Sequence, residues 1–395
     1  MSKRHLSAVL RTRYQEFRSV YLHGPRQAGK TTLCRQTFPE LPYASLENPD
    51  QRSHAQEDAR GFLAQFPFGA ILDEIQKVPA LLSYLQERID LGGAKYVLTG
   101  SQNLLIMEGI SQSLAGRLSV LQLPPFSQSE FQAREPSNPS TGMFTGSPSR
   151  NGSESVWDAI FIGGFPEPRT KPGIIRPWAD AYIATYLERD VRDLMKVHDL
   201  GLFQRFLVLC AARSGQLLNI SSLSSDSGVS EAQCRRWLTV LQASELVFLL
   251  QPYHENLGKR LTKAPKLYFA DPGVLCRLLG IDSADTLSKH PSLGALFETF
   301  VVNELRKCIL NQGERPSEYF WRDKTGKKVD YLLDFGGRIQ AFECKAGSTL
   351  AGDHFRNLTD YLHLRGARST GAWLAYGGDG EGQRKGVTLL PWWKI

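Results

Sequence analysis

The sequence predicts a multidomain α/β protein whose first third is a parallel sheet, followed by a helical middle and a second α/β unit. Short apolar runs alternate with helical patterns from residue 19 to residue 123, as the strands and crossover helices of a parallel sheet do. Ser, Pro, Gly, Asn and Thr then dominate residues 134–155, and helical periodicity returns after them. At 395 residues the chain is too long for one ordinary hydrophobic core.

The composition indicates a globular protein. Hydrophobic residues make up 42% of the chain and charged residues 22%, which is not the balance of a disordered protein. No apolar run approaches the ~20 residues of a membrane helix, so we expect no membrane contact, and the start of the chain shows no export signal. The six cysteines stand singly, so neither a disulfide scaffold nor a structural zinc site is expected. We therefore expect a cytoplasmic protein, and its formal charge of +7 allows an anionic partner without identifying one.

Five strands are predicted in the first segment, which we assign to a domain at residues 1–132. They lie at residues 19–22, 43–46, 69–72, 96–99 and 119–123. A helical stretch at residues 81–91 separates the third strand from the fourth. The abrupt change in composition after Phe131 predicts a mobile surface insertion at residues 133–156. A helical pattern from 178 to 195 then predicts a helical linker or lid at residues 157–199.

A phosphate-binding loop follows the first strand. Residues 24–31 match G-x-x-x-x-G-K-[ST] at every fixed position, with a predicted strand before them and a predicted helix after them. Backbone N–H groups of such a loop and the helix N-terminus bind phosphate oxygens. Lys30 would reach the β- and γ-phosphates, and Thr31 would bind Mg²⁺. The motif therefore predicts a site for ATP and Mg²⁺. The predicted nucleotide-binding residues are Gly24, Pro25, Arg26, Gln27, Ala28, Gly29, Lys30, Thr31, Thr32 and Asp73.

Two acidic residues, Asp73 and Glu74, end the third predicted strand as in a Walker B segment. Asp73 would hold Mg²⁺ through water, and Glu74 would polarise the attacking water as a general base. The alternative is a buried strand that merely ends in surface acids. The phosphate loop upstream makes this alternative weak. After the next strand, Ser101 is placed where a sensor residue would touch the γ-phosphate or the water, with Asn103 close behind.

Arg117 precedes the fifth strand, and two roles are open for it. It could complete the nucleotide site of a neighbouring subunit as an arginine finger, because one more positive charge stabilises the transition state. Such a role would require a homo-oligomer. A plain structural ion pair is the equally weighted alternative.

A helix-turn-helix pattern occupies the middle of the chain, and we predict a winged helix at residues 200–290. Helices are expected at 203–212 and from 220, and Ser230 with Gln233 forms a capping box that opens a third helix. Arg235 and Arg236 on that helix could reach phosphates or bases of DNA. Wing strands are expected at 246–250 and 266–269, with basic residues in their connecting loop. The loop residues are Lys259, Arg260 and Lys263. The alternative is a lid or a subunit contact.

Acidic residues recur near the end, where we predict a domain at residues 291–395. Glu298 lies on a predicted helix at 293–310, and Asp330 and Glu343 lie on predicted strands at 328–334 and 339–343. Lys345 shares a strand face with Glu343, because alternate side chains of a strand point the same way. Further strands are expected at 318–321 and 387–390.

This layout resembles the PD-(D/E)xK nucleases. Asp330 and Glu343 would then bind Mg²⁺, and Glu298 would orient a metal-bound water. Lys345 would position or deprotonate the attacking water. The alternative is a silent fold in which Lys345 only neutralises buried acids.

The run of motifs resembles a family of AAA-superfamily ATPases, common in bacteria and archaea, whose C-terminal half is usually labelled a domain of unknown function. The motifs lie at residues 23–27, 72–79, 98–102, 115–117, 163–167, 186–191 and 342–345. The Ser- and Pro-rich stretch near 134–155 departs from the family, where a shorter connection is expected. The resemblance implies a P-loop NTPase core, a winged helix-turn-helix and a restriction-endonuclease-like α/β end.

Two functions follow as hypotheses. The first is an ATP-hydrolysing protein that acts on DNA through the winged helix and the nuclease-like domain. The second is a regulatory ATPase that acts on an unidentified protein partner, with a silent C-terminal domain. DNA-stimulated hydrolysis with an affinity that falls steeply as salt rises would favour the first.

Overall fold

The computed structural model describes residues 3–101, 116–146, 154–187, 200–253 and 264–395. The chain forms two compact units. Unit 1 comprises Met1–Phe126, Leu241–Glu245 and Leu310–Glu314, and unit 2 comprises Ser127–Val240, Leu246–Ile309 and Arg315–Ile395. Over the described residues, no helix is long and apolar enough to cross a bilayer. All six cysteines are free.

Unit 1 contains a five-stranded parallel sheet, and each predicted strand is present within one or two residues of its predicted bounds. The strands are β1 (Ser19–His23), β2 (Tyr43–Ser45), β3 (Ile71–Asp73), β4 (Tyr96–Gly100) and β5 (Leu118–Gln122), in the order β2-β3-β4-β1-β5. The helices are α1 (Leu6–Glu16), α2 (Lys30–Thr37), α3 (Pro49–Glu57), α4 (Ala59–Ala64) and α5 (Leu81–Leu91).

The strands of unit 1 are apolar on both faces, because a parallel sheet with crossover helices buries both. On β1, Val20 and Leu22 enter one apolar core, whereas Tyr21 between them enters the other. Ile71 and Leu72 on β3 divide in the same way. The sheet is therefore held between two cores, and the ends of its strands carry the polar residues.

Unit 2 contains a nine-stranded mixed sheet in the order β13-β14-β12-β11-β10-β9-β7-β8-β6. Its strands are β6 (Gln216–Leu217), β7 (Val247–Pro252), β8 (Lys266–Phe269), β9 (Glu318–Arg322), β10 (Lys328–Phe335), β11 (Arg338–Lys345), β12 (Ser369–Tyr376), β13 (Gly382–Arg384) and β14 (Val387–Pro391). Parallel pairing of β7 with β9 joins the strands of the middle region to those of the C-terminal region. The predicted domain boundary between residues 290 and 291 stays a prediction. Strands from both sides of it belong to one continuous sheet.

The helices of unit 2 include the three of the predicted helix-turn-helix region. The helices are α6 (Gln128–Phe131), α7 (Val156–Ile162), α8 (Pro166–Thr170), α9 (Ile175–Tyr182), α10 (Leu200–Ala211), α11 (Ile220–Ser227), α12 (Glu231–Ala243), α13 (Pro272–Leu278), α14 (Ala284–Ser288), α15 (Leu293–Leu310) and α16 (Arg356–Arg365). The helix predicted at 178–195 appears as α9 and a π-helical turn, Ile183–Leu187, and residues 188–199 lie outside the described part. Strand β12 and helix α16 were not predicted.

Residues 134–146, part of the predicted mobile surface insertion, make defined contacts in the structure. Asn138 caps a short 3-10 helix, Pro139–Thr141, and its backbone pairs with that of Met143. Phe144 is buried and stacks edge-on against Trp373, with ring centroids 4.9 Å apart. The polar composition of the segment gave no sign of this contact. A buried aromatic side chain contributes enough apolar contact area to hold a short segment against the sheet. Residues 147–153 lie outside the described part.

Candidate functional site

The phosphate-binding loop lies between β1 and α2 in unit 1. At its start, a Cβ on Gly24 would stand 2.3 Å from the carbonyl oxygen of Leu123, so only glycine fits there. At its end, Gly29 has a φ of 96°, in the left-handed region that favours glycine. The backbone can therefore turn sharply into α2, whose first N–H groups lack partners within the helix and are available to phosphate.

The side chain of Lys30 is held inside this loop and is almost completely buried. Its Nζ donates to the carbonyl oxygens of Gly24 at 2.8 Å and Pro25 at 3.0 Å. Burial lowers the pKa of Lys30, and nearby carboxylates, of which Glu74 is the strongest, oppose that change. The carbonyl groups of the loop thus hold the ammonium group of Lys30 in place. Phosphate oxygens of a bound nucleotide would take over these hydrogen bonds.

Asp73, at the end of β3, is the centre of a cluster of hydroxyl groups. Thr31 Oγ1 donates to Asp73 Oδ2 at 2.9 Å, and Tyr43 Oη donates to the same oxygen at 2.8 Å. The hydroxyl of Thr99 contacts Asp73 Oδ1. Burial and the hydrogen bond to Asp73 raise the pKa of Tyr43 to about 12. The sequence predicted Thr31 and Asp73 but not Tyr43 or Thr99, which lie on the neighbouring strands β2 and β4.

The oxygen atoms of Thr31 and Asp73 fit Mg²⁺, which prefers hard oxygen ligands and keeps several waters. Their side chains already meet at hydrogen-bond distance, so a small ion could be held by both. Thr32 and Tyr43 line an adjoining cavity of about 460 Å³.

Glu74 lies next to the metal position, in an unusual backbone conformation. Its φ is 58°, which a non-glycine residue adopts only at some cost. Ser101 Oγ donates to Glu74 Oε2 at 3.4 Å. The predicted base and the predicted sensor residue are thus together, whereas Asn103 lies outside the described residues.

Two further residues of unit 1 support the loop and were not predicted from sequence. Arg4, before α1, donates to the carbonyl oxygens of Ala28 at 2.9 Å and Pro124 at 2.6 Å. Glu245 accepts a hydrogen bond from the imidazole of His23, which directly precedes the loop. No motif includes either residue, because each reaches the loop from a distant part of the chain.

Arg117 is paired with Asp90 near the start of β1 and β5, at the end of these strands that lies away from the phosphate loop. Its guanidinium contacts both carboxylate oxygens, at 2.6 and 2.9 Å. Leu118, the next residue, pairs with Ser19 at the start of β1, whereas the phosphate loop follows the end of β1. Five residues of strand span about 16 Å. Arg117 therefore cannot touch the phosphates of its own chain.

Helix α12 in unit 2 has one buried and one exposed face. Trp237 packs edge-on against Phe203 and Phe206 of α10, with centroids 5.3 and 5.1 Å apart. Arg235 and Arg236 are exposed on the other face. Lys259, Arg260 and Lys263 of the predicted wing loop lie outside the described residues.

The three predicted acids of the C-terminal region are Glu298 on α15, Asp330 on β10 and Glu343 on β11, and all are buried. Burial, with a smaller effect of the Asp330 charge, raises the pKa of Glu298 and raises that of Glu343 to about 7. Burial alone would also raise the pKa of Asp330, but the ammonium groups of Lys266 and Lys328 outweigh it and lower that pKa. The burial of the three acids and their mutual repulsion therefore oppose ionisation, whereas the neighbouring lysines favour it.

Three lysines neutralise these acids. Lys266 Nζ lies 2.7 Å from Glu298 Oε1, Lys328 Nζ lies 2.9 Å from Asp330 Oδ1, and Lys345 Nζ lies 2.9 Å from Glu343 Oε1. Among the residues that the structure describes, no group of three or more His, Cys, Asp or Glu side chains is placed to hold a metal ion. Glu343 Oε2 nevertheless is buried without a hydrogen-bond partner. As arranged, the cluster fits neutralised buried acids better than a metal centre.

Comparison with known proteins divides the chain in three. A family model described as "AAA domain" matches residues 16–132. Models described as "Domain of unknown function (DUF8612)" and "Domain of unknown function (DUF4143)" match residues 153–285 and 293–395. The AAA match covers the sheet and the phosphate loop of unit 1.

The chain is 30% identical over 356 residues to the uncharacterized proteins Rv2008c of Mycobacterium tuberculosis and Mb2031c of Mycobacterium bovis. The match covers 88% of this chain and 75% of each relative. Among solved structures, the Walker-type ATPase PABY2304 of Pyrococcus abyssi is similar with 16% identity and a TM-score of 0.46, covering 69% of this chain and 94% of that chain.

Proposed function

Because this chain belongs to the family of the mycobacterial protein Rv2008c, and its first third is an AAA-type P-loop ATPase domain, we propose that this domain hydrolyses ATP with Mg²⁺. The observation that carries the proposal is the meeting of Lys30, Thr31 and Asp73 at the carboxyl ends of β1 and β3. A buried cation and an oxygen pair fit for Mg²⁺ stand side by side there. Phosphate release from ATP with Mg²⁺, and its loss on addition of EDTA, is the direct test.

The residues suggest a division of work. Lys30 exchanges the loop carbonyls for the β- and γ-phosphate oxygens, and Thr31 with Asp73 would hold Mg²⁺. A bound Mg²⁺ would supply positive charge to those oxygens. Glu74 takes a proton from water as the water oxygen bonds to the γ-phosphorus and the bond to the bridging oxygen breaks, giving ADP and phosphate. Ser101 holds the carboxylate or the water in place.

Arg117 fits a role in trans. The distance of Arg117 from the phosphate loop of its own chain argues against a role there, and Arg117 forms a bidentate ion pair with Asp90 on the surface. In a homo-oligomer, the same guanidinium would complete a neighbour's site. The structural ion pair remains the alternative, since Asp90 already satisfies it.

A second candidate function is DNA binding by α12, which we interpret as the recognition helix of a winged helix. The specific observation is the exposed pair Arg235 and Arg236 on a helix whose other face packs into a core. We expect the Arg235→Ala/Arg236→Ala double variant to lower DNA affinity about tenfold at 0.1 M salt and to reduce the salt slope by roughly 1 to 2. Fluorescence anisotropy at several salt concentrations measures both, and DNA-stimulated ATP hydrolysis gives a second readout.

The matched control for this experiment is Arg176→Ala, which removes an exposed arginine of unit 2 paired with Asp282. Because the control removes one positive charge and the double variant removes two, an equal loss of binding free energy per removed charge would assign the effect to net charge. Wild-type protein without DNA affinity would favour the alternative function, a regulatory ATPase acting on a protein partner.

Metal-dependent DNA cleavage by Glu298, Asp330, Glu343 and Lys345 stays a separate prediction. The unpartnered Glu343 Oε2 favours it, and the three lysines oppose it. If it holds, plasmid nicking should require Mg²⁺ or Mn²⁺ and disappear in Asp330→Ala, with Asp353→Ala as the exposed control. Nicking that persists in Asp330→Ala, or no nicking in the wild type, would leave the cluster a structural one.

A further inference from the structure

Gln76 lies beside the proposed general base, and the mechanism above gives it no role. It belongs to a short 3-10 helix, Ile75–Lys77, that directly follows Glu74. Its Nε2 contacts Glu74 Oε2 and donates to Ser101 Oγ at 3.1 Å. Ser101 Oγ in turn lies 3.4 Å from Glu74 Oε2. The three side chains therefore form a closed triangle in which one amide touches both of the other groups.

The chemistry of the groups fixes which end of the amide faces Glu74. An ionised carboxylate only accepts hydrogen bonds, so the amide nitrogen must point toward it and the amide oxygen away. That oxygen, Oε1, is buried and has no hydrogen-bond partner in the described structure. Proteins rarely leave a buried acceptor unused, and such groups concentrate at functional sites. The amide nitrogen of Gln76 thus contacts Glu74, while the amide oxygen is left without a hydrogen bond.

The surrounding backbone also favours this contact. A Cβ on Gly100 would stand 2.6 Å from both Gln76 Oε1 and Tyr21 Oη, so the glycine before Ser101 leaves room for both side chains. Glu74 adopts its positive φ at the start of the same turn. The amide of Gln76 thus lies between the turn that follows β3 and the glycine that ends β4.

We propose that Gln76 is a positioning residue for ATP hydrolysis, which holds the carboxylate of Glu74 beside Ser101 and so aims the base at the attacking water. The proposal rests on the proposed ATPase function. It assigns Gln76 no contact with the nucleotide. Its effect should therefore pass through Glu74 alone, and it should appear in kcat rather than in KM or in nucleotide affinity.

The test replaces Gln76 with methionine, which keeps the length of the side chain and removes the amide. For Gln76→Met we expect kcat to fall about tenfold, with KM and the Kd for ATP unchanged within about twofold. In the Glu74→Gln background, single-turnover rates should be the same with and without Gln76→Met, because the carboxylate that the amide positions is gone. Gln65→Met, an exposed glutamine of the same unit, is the control and should match the wild type.

Equal losses from Gln76→Met in both backgrounds, or a rise in the Kd for ATP, would overturn the positioning role while the ATPase proposal stands. A wild type that releases no phosphate from ATP would overturn both, and this is read before any variant is compared.

Discussion

The Lys30→Ala variant is expected to lose ATP binding, with an affinity at least roughly 100-fold lower than that of the wild type. Lys30 is a buried cation that the loop holds against the carbonyl groups of Gly24 and Pro25, at 2.8 and 3.0 Å. Two charge-assisted hydrogen bonds to phosphate oxygens are together worth about 3 kcal/mol, which corresponds to a factor of about 100. Calorimetric titration with ATP and Mg²⁺ measures the change.

The same variant should fold normally. Burial lowers the pKa of Lys30, so the folded protein holds this charge less favourably than the unfolded chain does. Removing it should not lower the melting temperature measured without nucleotide. Lys289→Ala, which removes an exposed lysine paired with Asp285, is the matched control and should bind ATP like the wild type. Unchanged ATP affinity in Lys30→Ala would exclude the loop as the nucleotide site.

Lys30→Arg separates charge from shape. The side chain of residue 30 is only 6% exposed, and its ammonium fits between two carbonyl groups. A planar guanidinium keeps the charge but needs more room and a different donor geometry. We therefore interpret any loss of affinity in Lys30→Arg as a steric effect, and full retention would mean that charge alone decides binding.

The parts of the site that the sequence could predict are those in which neighbouring residues act together. The loop from Gly24 to Thr31 and the pair Asp73 and Glu74 are contiguous because a strand end and a helix start supply the geometry directly. The parallel sheet followed from alternating apolar runs for the same local reason. All five strands of unit 1 were predicted within one or two residues.

The site residues that were not predicted are single side chains that come from elements distant in the sequence. Tyr43 and Gln76 are ordinary residues until the fold places them against Asp73 and Glu74. Lys266, which sits between two acids of unit 2, comes from β8, 32 positions before Glu298. Strand β12 was missed because its run of small residues, from Ser369 to Ala372, has little apolar pattern. The second half of the strand, from Trp373 to Tyr376, is apolar, but it is short for a strand signal of its own.

The residues of the C-terminal cluster show why identity alone could not decide function. An acid, an acid and a Glu-x-Lys pair are all present, as the sequence indicated. The structure adds Lys266 and Lys328, and each lies within 3 Å of a carboxylate oxygen. Two acids with raised pKa values and one with a lowered pKa then share the site. Charge balance, which no motif encodes, separates a metal centre from a neutralised core.

The Glu74→Gln variant is expected to bind ATP with an affinity within about threefold of the wild type and to hydrolyse it roughly 100- to 10,000-fold more slowly. Glutamine keeps the size of the side chain and its contact with Ser101 but cannot take a proton, and a positioned general base contributes about that factor. Because Lys30, Thr31 and Asp73 are unchanged, the phosphate and metal contacts should persist.

Single-turnover hydrolysis and calorimetric ATP binding, measured on the same preparation, separate the two effects. The control is Glu57→Gln, which changes an exposed glutamate of α3 in the same unit and should keep the wild-type rate. A Glu74→Gln rate equal to the wild type would remove Glu74 from the role of base, and the ATPase proposal would then need another proton acceptor. Loss of binding together with turnover would instead mean that the left-handed backbone at residue 74 depends on its carboxylate, because that carboxylate holds Gln76 and Ser101 in their triangle.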